Sequence, residues 1–553
     1  MSAQFRSLRY HNPVATFHVA NFGCRATQAD GAALERQFEA RGLARASATH
    51  ADLVLFNTCT VTASADQDAR AAIRRVRRQN PSAKIIVTGC YAQRAPEEIA
   101  ALPGVSAVIG NSHKHHLADI VLCEMNAPSP GLGNTGIGAA GHEVAILGVT
   151  SSGMSGFGVT GSGVPGLGVA GFDVPGSGVP GFGVPGFGVA QRFSAAKINL
   201  LREGALAPEA TTPAKEQAFI PLHALTENRI FVSDIFAHTE LLAAPVFDSS
   251  SEFMENCRTR PNLKVQDGCD NRCSFCVIPS VRGNSRSLPL AEVIRELNTL
   301  VAAGYREVVI SGINLGRWGR DLPNQSPQSL EGLIHAILSE TQLEKLRVSS
   351  VEPMDWTDQL IALVASSPRI AKHAHVPLQS GSDAVLRRMH RKYRPWHYRE
   401  KIEKIRAAMP TAAIGADVMA GFPGETDAEF ESTRRLIEEL PFTYLHVFTY
   451  SARPGTAAAA MPNHVPVHIA RERNKILRDL AAQKNVTFMQ SFVGASLEAI
   501  TLGAAHRTPE GEFTESLTDN YQKLHLKGRH SPNRWLPVYV ENVTDGALIG
   551  SST

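Results

Sequence analysis

The sequence contains no apolar run of the roughly 18–20 residues that a membrane span requires. Its first twenty residues also lack the basic head, apolar core and small-residue cleavage site of an export signal. These two absences predict a cytoplasmic protein with no membrane partner. Only 8 of the 553 residues are cysteine. In a reducing compartment we expect those cysteines to be metal ligands or reactive thiols rather than disulfides.

A strong net charge is absent as well. The chain has 55 Lys and Arg against 52 Asp and Glu, a net charge of +3. A polyanionic partner would therefore have to be bound by local basic patches rather than by the field of the whole protein. A chain of 553 residues is too long for one hydrophobic core, so two to four domains are expected.

One long segment has almost no charge. From 127 to 190 only Glu143 and Asp173 are charged, and 156–190 consists of seven tandem pentapeptides of the type Gly-Phe-Gly-Val-Pro. This segment resembles the elastin repeat, and few of its side chains could form a packed core. We expect residues 126–227 to be a disordered insertion. Self-association through its Phe and Val side chains is the alternative.

The remaining sequence indicates a mixed α/β protein of three domains. Residues 14–125 alternate short strands with helices, which predicts a parallel α/β domain. After a connector at 228–254, residues 255–487 contain about six further strand and helix units, which favour a partial (β/α)6 barrel with polar site residues at the strand ends. Residues 488–553 contain short strands and Gly or Asn turns, typical of a small β-barrel.

Three cysteines lie within eight positions in the central domain: Cys269, Cys273 and Cys276. A zinc site usually combines two separated Cys or His pairs, and an iron–sulfur cluster is usually held by four thiolates. Three thiolates leave one iron open to an exogenous ligand. S-adenosylmethionine can bind there through its amine and carboxylate and be cleaved to a 5′-deoxyadenosyl radical, which is chemistry that the cofactor provides.

A second trio, Cys24, Cys59 and Cys90, is spread over the N-terminal domain. Each member falls where a predicted strand ends, so the three thiols could converge on one edge of a parallel sheet. The other two cysteines, Cys123 and Cys257, are interpreted as small buried apolar residues.

The central motif, with Phe275 before the third cysteine, resembles that of the radical S-adenosylmethionine superfamily. The sequence around the N-terminal trio, for example "IIVTGCYAQRAPEEIAALPGVSAVIGN", resembles that of the methylthiotransferase family. Two later segments, "HVPLQSGSDAVLRRMHRKY" and "GADVMAGFPGET", resemble the same family. The resemblance covers 15–125 and 228–553. Two departures are visible: Thr27 stands where the family usually has Asn, and the insertion interrupts the junction between the two cluster domains.

The resemblance implies two [4Fe–4S] clusters, one on each cysteine trio, with S-adenosylmethionine as cosubstrate. The N-terminal cluster would carry the sulfur to be transferred. It also implies an electron donor such as flavodoxin or ferredoxin, and a C-terminal RNA-binding domain of the TRAM type. Five residues at strand ends would hold S-adenosylmethionine: Gly312, Asn314, Glu352, Gln379 and Asp417.

The implied substrate is the anticodon loop of tRNA. Known branches of the family add a methylthio group to adenosine 37 bearing a threonylcarbamoyl or an isopentenyl group, or to an aspartate of a ribosomal protein. "SSVEPMDWTDQL" resembles the threonylcarbamoyladenosine branch. Basic residues in two clusters are expected to contact RNA phosphates: Arg387, Arg388, Arg391, Lys392, Lys523 and Lys527. The alternative of another class is a non-catalytic iron–sulfur or zinc protein that binds RNA.

Overall fold

A computed structural model describes residues 15–126, 229–238, 241, 259–323, 329–508, 511–544 and 546–553. Except for residue 126, the predicted insertion lies outside these residues, as do Cys257 and most of the predicted connector. Among the helices of the described ranges, none combines the length and the apolar character of a membrane span.

The N-terminal domain is built on one six-stranded parallel sheet, as predicted. The strands follow the order β2-β1-β3-β4-β5-β6. Their bounds are β1 Thr16–Asn21, β2 Ala44–Arg45, β3 Leu53–Thr58, β4 Lys84–Gly89, β5 Val105–Ile109 and β6 Arg229–Phe231. The helices are α1 Arg25–Ala40, α2 Ala63–Gln79, α3 Cys90–Arg94, α4 Pro96–Ala100 and α5 Leu117–Asn126. The predicted connector thus begins as the sixth strand, which pairs with β5.

The sequence explains these elements locally. All six residues of β3 are buried, which is typical of a parallel strand covered by helices on both faces. Helix α2 begins after Thr62, whose side chain accepts a hydrogen bond from the backbone of Ala65. Its buried residues Ala69, Ile73 and Val76 recur at helical spacing and pack onto the sheet.

The central domain contains two three-stranded parallel sheets, ordered β11-β10-β7 and β12-β13-β14. The strands are β7 Asn262–Lys264, β8 Gln266–Asp267, β9 Arg286–Ser287, β10 Glu307–Ser311, β11 Lys345–Val348, β12 His373–His375, β13 Ala413–Ala420 and β14 Tyr444–Thr449. The helices are α6 Ile278–Arg282, α7 Leu290–Ala302, α8 Leu330–Glu340, α9 Asp358–Ser366, α10 Asp383–Arg388, α11 Pro395–Ala408, α12 Asp427–Glu439 and α13 Val467–Gln490.

Both central sheets contribute to one apolar core, which includes Leu263, Ile310 and Val418. A backbone bridge between Leu346 and Ile370 extends the first sheet toward the second. The mixed α/β architecture is confirmed. That the two sheets form one partial (β/α)6 barrel stays a prediction.

The C-terminal strands β15 Ser496–Thr508, β16 Gly511–Thr518, β17 Lys523–Lys527, β18 Trp535–Thr544 and β19 Ala547–Ser552 close into a small barrel. Leu524, Val538 and Leu548 are among its core residues. The barrel is attached to the central domain by polar contacts. For example, Asn520 Nδ2 donates to the carbonyl of Thr411 at 2.9 Å.

Candidate active site

The central cysteine trio lies between β8 and α6. Cys269, Cys273 and Cys276 are all half-buried. Burial raises the pKa of Cys276 to about 12, and the neighbouring Cys273 and Cys269 add to that rise. The three thiols are therefore near enough to influence one another's ionisation.

The N-terminal trio is assembled by the sheet. Cys24 immediately precedes α1, Cys59 follows β3 and Cys90 opens α3 directly after β4. Strands β1, β3 and β4 are adjacent and parallel, so their carboxyl ends meet at one edge. Burial, together with the nearby Cys90 and Cys24, raises the pKa of Cys59 to about 12. The structure thus brings together three thiols that are distant in sequence.

Two details shape this N-terminal site. A Cβ atom placed on Gly23 would lie 2.3 Å from Cys59 Cβ, so only glycine fits there without a shift of the neighbouring cysteine. Cys24 is the N-cap of α1, where backbone N–H groups and the helix dipole favour negative charge such as that of a thiolate. Thr27 Oγ1 lies 3.6 Å from Cys24 Sγ.

The spacing within each trio bears on the kind of metal that it could hold. In the part of the chain that the structure describes, no three His, Cys, Asp or Glu side chains are arranged around a single ion. A zinc site needs such an arrangement, since all its ligands bind one atom. In an iron–sulfur cluster each thiolate binds a different iron, so the thiols stand further apart. Three thiolates are one fewer than the four that usually hold an iron–sulfur cluster, so a cluster on either trio would keep one iron open.

The segment that follows the central trio packs against a cysteine of the N-terminal trio. Helix α6 begins two residues after Cys276. Val277, which precedes the helix, and Val281 within it form an apolar cluster with Cys90. Asn111 Nδ2 donates to the carbonyl of Val281 at 2.7 Å and lies 3.5 Å from Cys90 Sγ. The segment that follows the central motif is thus packed directly against the N-terminal trio.

A buried charge network lies at the same junction. Asp30 and Lys114 come from the N-terminal domain, and Lys264, Asp267 and Arg282 from the central domain. Lys114 Nζ lies 2.9 Å from Asp30, Lys264 Nζ binds both carboxylates, and Arg282 Nη1 lies 2.9 Å from Asp267. All five residues are buried. Three cations face two carboxylates, so the network has an excess positive charge.

The excess positive charge affects the ionisation of Cys90 in the N-terminal trio. Burial opposes ionisation of Cys90 and raises its pKa, whereas the positive charges of Arg282 and Lys114 lower it. A buried excess charge is costly unless an opposite charge is near. Thiolates on Cys24, Cys59 and Cys90 would supply that charge.

Arg391 contacts the central trio. Its Nη1 lies 3.2 Å from Cys273 Sγ, and its Nη2 pairs with the carboxylate of Glu352. Glu352, predicted to hold S-adenosylmethionine, is therefore linked to the cysteine trio through this arginine. We predicted that Arg391 would contact RNA, but its side chain is 5% exposed and points inward, so this assignment is corrected.

Asn314 and Gly312 lie beside the same trio. Asn314 Nδ2 is 3.7 Å from Cys269 Sγ, and its backbone N–H donates to Gln266 Oε1 at 2.7 Å. A Cβ atom on Gly312 would lie 2.8 Å from Gln266 Oε1, so glycine permits this close approach. Asn314 is thus brought to Cys269, whereas Gly312 contacts Gln266 rather than a cysteine.

Gln379 and Asp417 lie on the second central sheet. The backbone N–H of Gln379, at a positive φ of 62°, donates to the carbonyl of Asp417 at 2.8 Å. Asp417 Oδ1 is 3.4 Å from His375 Nε2. The two residues adjoin one another, but the structure gives neither a contact with the cysteines.

Several polar atoms near the strand ends lack partners. Asn314 Oδ1, Ser311 Oγ at the end of β10 and Ser349 Oγ just after β11 are buried without a hydrogen bond in the described residues. Buried polar atoms are normally hydrogen-bonded, so these point to a polar ligand at the strand ends. An amine, carboxylate and ribose, as in S-adenosylmethionine, fit such a lining.

The other residues predicted to bind RNA differ in their surroundings. Lys392 and Lys523 are exposed and form no ion pair with the described residues. Arg387 pairs with Asp383, Arg388 with Glu429 at 2.8 Å, and Lys527 with Glu541. Cys123 is exposed, contrary to the prediction that it is buried, because it lies on the outward side of α5.

No sequence motif predicts the residues that connect the domains. Asp30 and Arg282 are 252 positions apart and no motif links them. A signal existed for Asp30, since it stands within the buried, small-residue face of α1. A carboxylate among Ala29, Gly31 and Ala32 requires a buried partner.

Comparisons with known proteins identify the family to which the chain belongs. Residues 16–110 match the family model described as "Uncharacterized protein family UPF0004", and residues 263–437 match the Radical SAM superfamily. The chain is 31% identical to the threonylcarbamoyladenosine tRNA methylthiotransferase MtaB of Bacillus subtilis over 93% of this chain and 91% of the relative. It belongs to the radical SAM tRNA methylthiotransferase family.

Other similarities were found as well. A tRNA-2-methylthio-N(6)-dimethylallyladenosine synthase of Novosphingobium aromaticivorans is 30% identical, over 88% of this chain and 86% of that protein. Among solved structures, the radical S-adenosylmethionine methyltransferase TsrM of Kitasatospora setae is similar with a TM-score of 0.47 and 13% identity, over 81% of this chain and 77% of that chain.

Family membership confirms several predictions. The methylthiotransferase is an enzyme that modifies tRNA by radical S-adenosylmethionine chemistry, and its cofactors are [4Fe–4S] clusters and S-adenosylmethionine. The two family models match segments that each contain one cysteine trio.

Proposed function

We propose that this methylthiotransferase adds a methylthio group to C2 of N6-threonylcarbamoyladenosine at position 37 of tRNA, using two [4Fe–4S] clusters. The proposal rests on one observation: Cys90 of the N-terminal trio packs against Val277 and Val281, which directly follow the central trio in the chain. Sulfur insertion requires the radical and the sulfur to reach the same carbon, so the two sites have to be near neighbours.

Each trio would hold one cluster: Cys269, Cys273 and Cys276 the first, and Cys24, Cys59 and Cys90 the second. When bound, the clusters and S-adenosylmethionine supply radical hydrogen abstraction, the sulfur atom and the methyl group. The protein would hold and position these groups.

The chain's own residues have distinct parts in this arrangement. Arg391 holds Cys273 and Glu352 in fixed relation through its two terminal nitrogens. The side-chain Nδ2 of Asn314 contacts Cys269 Sγ. Its Oδ1 has no hydrogen-bond partner among the described residues and can accept a hydrogen bond from the amine of S-adenosylmethionine. Gly312 keeps the backbone close to Gln266. Gln379 and Asp417 would bind the adenosyl part from the second sheet.

RNA would approach from the C-terminal barrel, which we assign to the TRAM type of RNA-binding domain. Lys523 on β17 is exposed and has no carboxylate partner among the described residues, so its charge is available to a phosphate. An electron donor of the flavodoxin or ferredoxin type would reduce the first cluster. We also propose that the two central sheets together form one partial (β/α)6 barrel.

The substrate is tested by mass spectrometry of tRNA nucleosides from cells with and without the protein. We expect 2-methylthio-N6-threonylcarbamoyladenosine to disappear when the protein is removed. If that nucleoside persists while 2-methylthio-isopentenyladenosine is lost, or neither changes, the assignment is wrong.

The cluster assignment is tested separately on anaerobically purified protein. We expect about eight irons per chain, falling to about four in either Cys59→Ala or Cys273→Ala and to none when both trios are replaced. Zinc in place of iron, or a loss of all iron from one single substitution, would contradict the assignment of one cluster to each trio.

A further inference from the structure

Three arginines from separate parts of the fold meet beside the C-terminal barrel. Arg25 is the first residue of α1, Arg260 precedes β7 and Arg347 lies in β11. Burial lowers the pKa of Arg260, and the positive charges of Arg347 and Arg25 lower it further although Glu307 opposes them. Contacts show that the three side chains are neighbours. Arg347 Cζ lies 5.3 Å from the centre of the Tyr521 ring, Arg25 also contacts Tyr521, and Glu307 contacts both Arg347 and Arg260.

Their positive charges are not matched by carboxylates. Glu307 Oε1 accepts from Arg347 Nε at 2.6 Å and lies 3.7 Å from Arg260 Nη1, so it serves two arginines. Asp519, near Arg347, is already 3.3 Å from Lys345. Arg25 makes no ion pair within the described residues, and the buried Nε of Arg260 has no hydrogen-bond partner there. Like charges held together in this way favour an anionic ligand.

A cavity of about 390 Å³ opens at this point. Arg260 and Tyr444 of the central domain and Tyr521 and Lys523 of the C-terminal barrel are among its lining residues. The two tyrosine rings have centroids 5.8 Å apart, and Arg25 Nη2 donates to Tyr521 Oη at 3.4 Å. Its volume lies within the range of small-ligand sites, and aromatic rings with cations are typical of sites for single RNA nucleotides.

Arg25 connects the cavity to the N-terminal trio, because its side chain contacts the lining residue Tyr521. Arg25 directly follows Cys24 in the chain, and Tyr444 pairs in register with Gly415, two positions before Asp417. Burial raises the pKa of Tyr444, and the nearby Tyr521 and Asp417 raise it further, while Arg25 acts in the opposite direction. Through Tyr521, Arg25 therefore connects the N-terminal trio with Tyr444 of the second central sheet.

We propose that Arg25 and Arg260 form a binding site for an oxyanion of the RNA substrate. The inference rests on the proposed function, because the proposed substrate contains two groups of this chemistry. One is the carboxylate of the threonylcarbamoyl substituent, and the other is a backbone phosphate. A guanidinium binds either group through paired N–H donors. An isopentenyl substituent offers no oxyanion, so binding of the carboxylate would also select the substrate.

The test measures the affinity of the full chain for two fluorescent anticodon stem–loop RNAs at one salt concentration, without S-adenosylmethionine. The RNAs differ only at position 37, which is N6-threonylcarbamoyladenosine in one and unmodified adenosine in the other. Arg25→Ala is expected to weaken binding by about 10-fold, and Arg25→Lys by less because it retains the charge. Arg260→Gln provides a second, independent removal of charge.

The matched control is Arg471→Ala. Arg471 is an exposed arginine of α13 with no ion pair among the described residues. It lies about 21 Å along the helix from the cavity residue Asn485. A loss with Arg25→Ala that is confined to the modified RNA identifies the carboxylate as the ligand. An equal loss on both RNAs identifies a phosphate. If Arg25→Ala and Arg260→Gln weaken binding no more than Arg471→Ala, the oxyanion site is refuted.

This test separates the inference from the proposed function. Binding needs neither methyl transfer nor reduction, so the Arg25 effect can persist even if the tRNA nucleosides of cells lacking the protein are unchanged. In that case the proposed function fails and the oxyanion site stands. Conversely, the expected loss of the modified nucleoside together with unaltered RNA binding by both variants refutes only the site.

Discussion

The carboxylate of Asp30 in the N-terminal domain accepts a hydrogen bond from the Arg282 guanidinium of the central domain, with an Nη2–Oδ2 distance of 3.1 Å. Both side chains are 2% exposed. The pair thus joins the domains at a point that water does not reach, directly beneath the N-terminal thiols.

Replacing Asp30 by Asn is expected to destabilise the protein by about 3–5 kcal/mol, because it leaves Lys114, Lys264 and Arg282 without one of their two carboxylates. Chemical denaturation followed by circular dichroism measures the free energy of unfolding. The control is Asp119→Asn, which removes an exposed partner of Arg41 and should cost less than about 1 kcal/mol. Equal losses in the two variants would contradict the role of the buried network.

The same pair predicts a pH dependence. Burial alone would raise the pKa of Asp30, but Lys114, Lys264 and Arg282 outweigh burial and lower the pKa from 3.8 to about 2. Between these values the unfolded chain binds a proton that the folded protein does not, so Asp30 stabilises the fold increasingly as pH rises. Its contribution is fully present above the unfolded pKa and is lost as pH falls through about 2.

The measurement compares wild type with Asp30→Asn across this range of pH. The difference in their free energies of unfolding should grow from pH 2 to about pH 4 and stay constant at higher pH. A difference that does not change over this interval would show that the folded and unfolded pKa values of Asp30 are equal.

A third prediction concerns the fit between Gly23 and Cys59. Gly23→Ala would place a Cβ atom 2.3 Å from Cys59 Cβ and 2.8 Å from Cys59 Sγ. We expect the N-terminal site to lose its iron, about half of the total, while the central site keeps its own. Iron and sulfide analysis of the purified variant measures this loss.

Gly42→Ala is the matched control for that substitution. Gly42 shares a positive φ, 84° against 108° for Gly23, but an added Cβ would meet no atom within 4 Å. The Gly42→Ala substitution therefore introduces the backbone strain of an alanine at positive φ but no steric contact. If both variants lose the same amount of iron, strain rather than the contact with Cys59 is responsible.

The sequence predicted what depends on local pattern. The spacing of Cys269, Cys273 and Cys276 is readable along the chain, and the positions of Cys24 and Cys59 at strand ends predicted their meeting because parallel strands finish at one edge. The short strand β6 was not predicted. Its three residues are too few to show a strand periodicity in the sequence. The strand forms because it pairs with β5, which lies more than a hundred positions upstream.

The charged residues of the site were harder to predict for a different reason. Arg387 and Arg391 stand in the same basic run, yet Arg387 is 61% exposed and Arg391 5% exposed. Which arginine turns inward is decided by the positions of Cys273 and Glu352, which come from other parts of the chain. Charge alone indicates a surface residue, whereas the tertiary fold supplies the buried partners that override that expectation.

The last prediction concerns the contact between Arg391 and Cys273. The guanidinium places a positive charge and an N–H donor 3.2 Å from the sulfur, and both stabilise additional negative charge there. Arg391→Gln is therefore expected to lower the reduction potential of the central cluster by roughly 40–90 mV, the one-electron equivalent of a charged hydrogen bond of about 1–2 kcal/mol. A redox titration followed by electron paramagnetic resonance, with the N-terminal trio replaced by alanine, measures this potential without overlap from the second cluster.

Arg387→Gln serves as the control, since Arg387 is an exposed arginine in the same segment and pairs with Asp383 rather than with a cysteine. Its potential should match that of the parent within the error of the titration. A fall in both variants would indicate a general effect of surface charge. A fall confined to Arg391→Gln would show that the buried guanidinium tunes the cluster through its contact with Cys273.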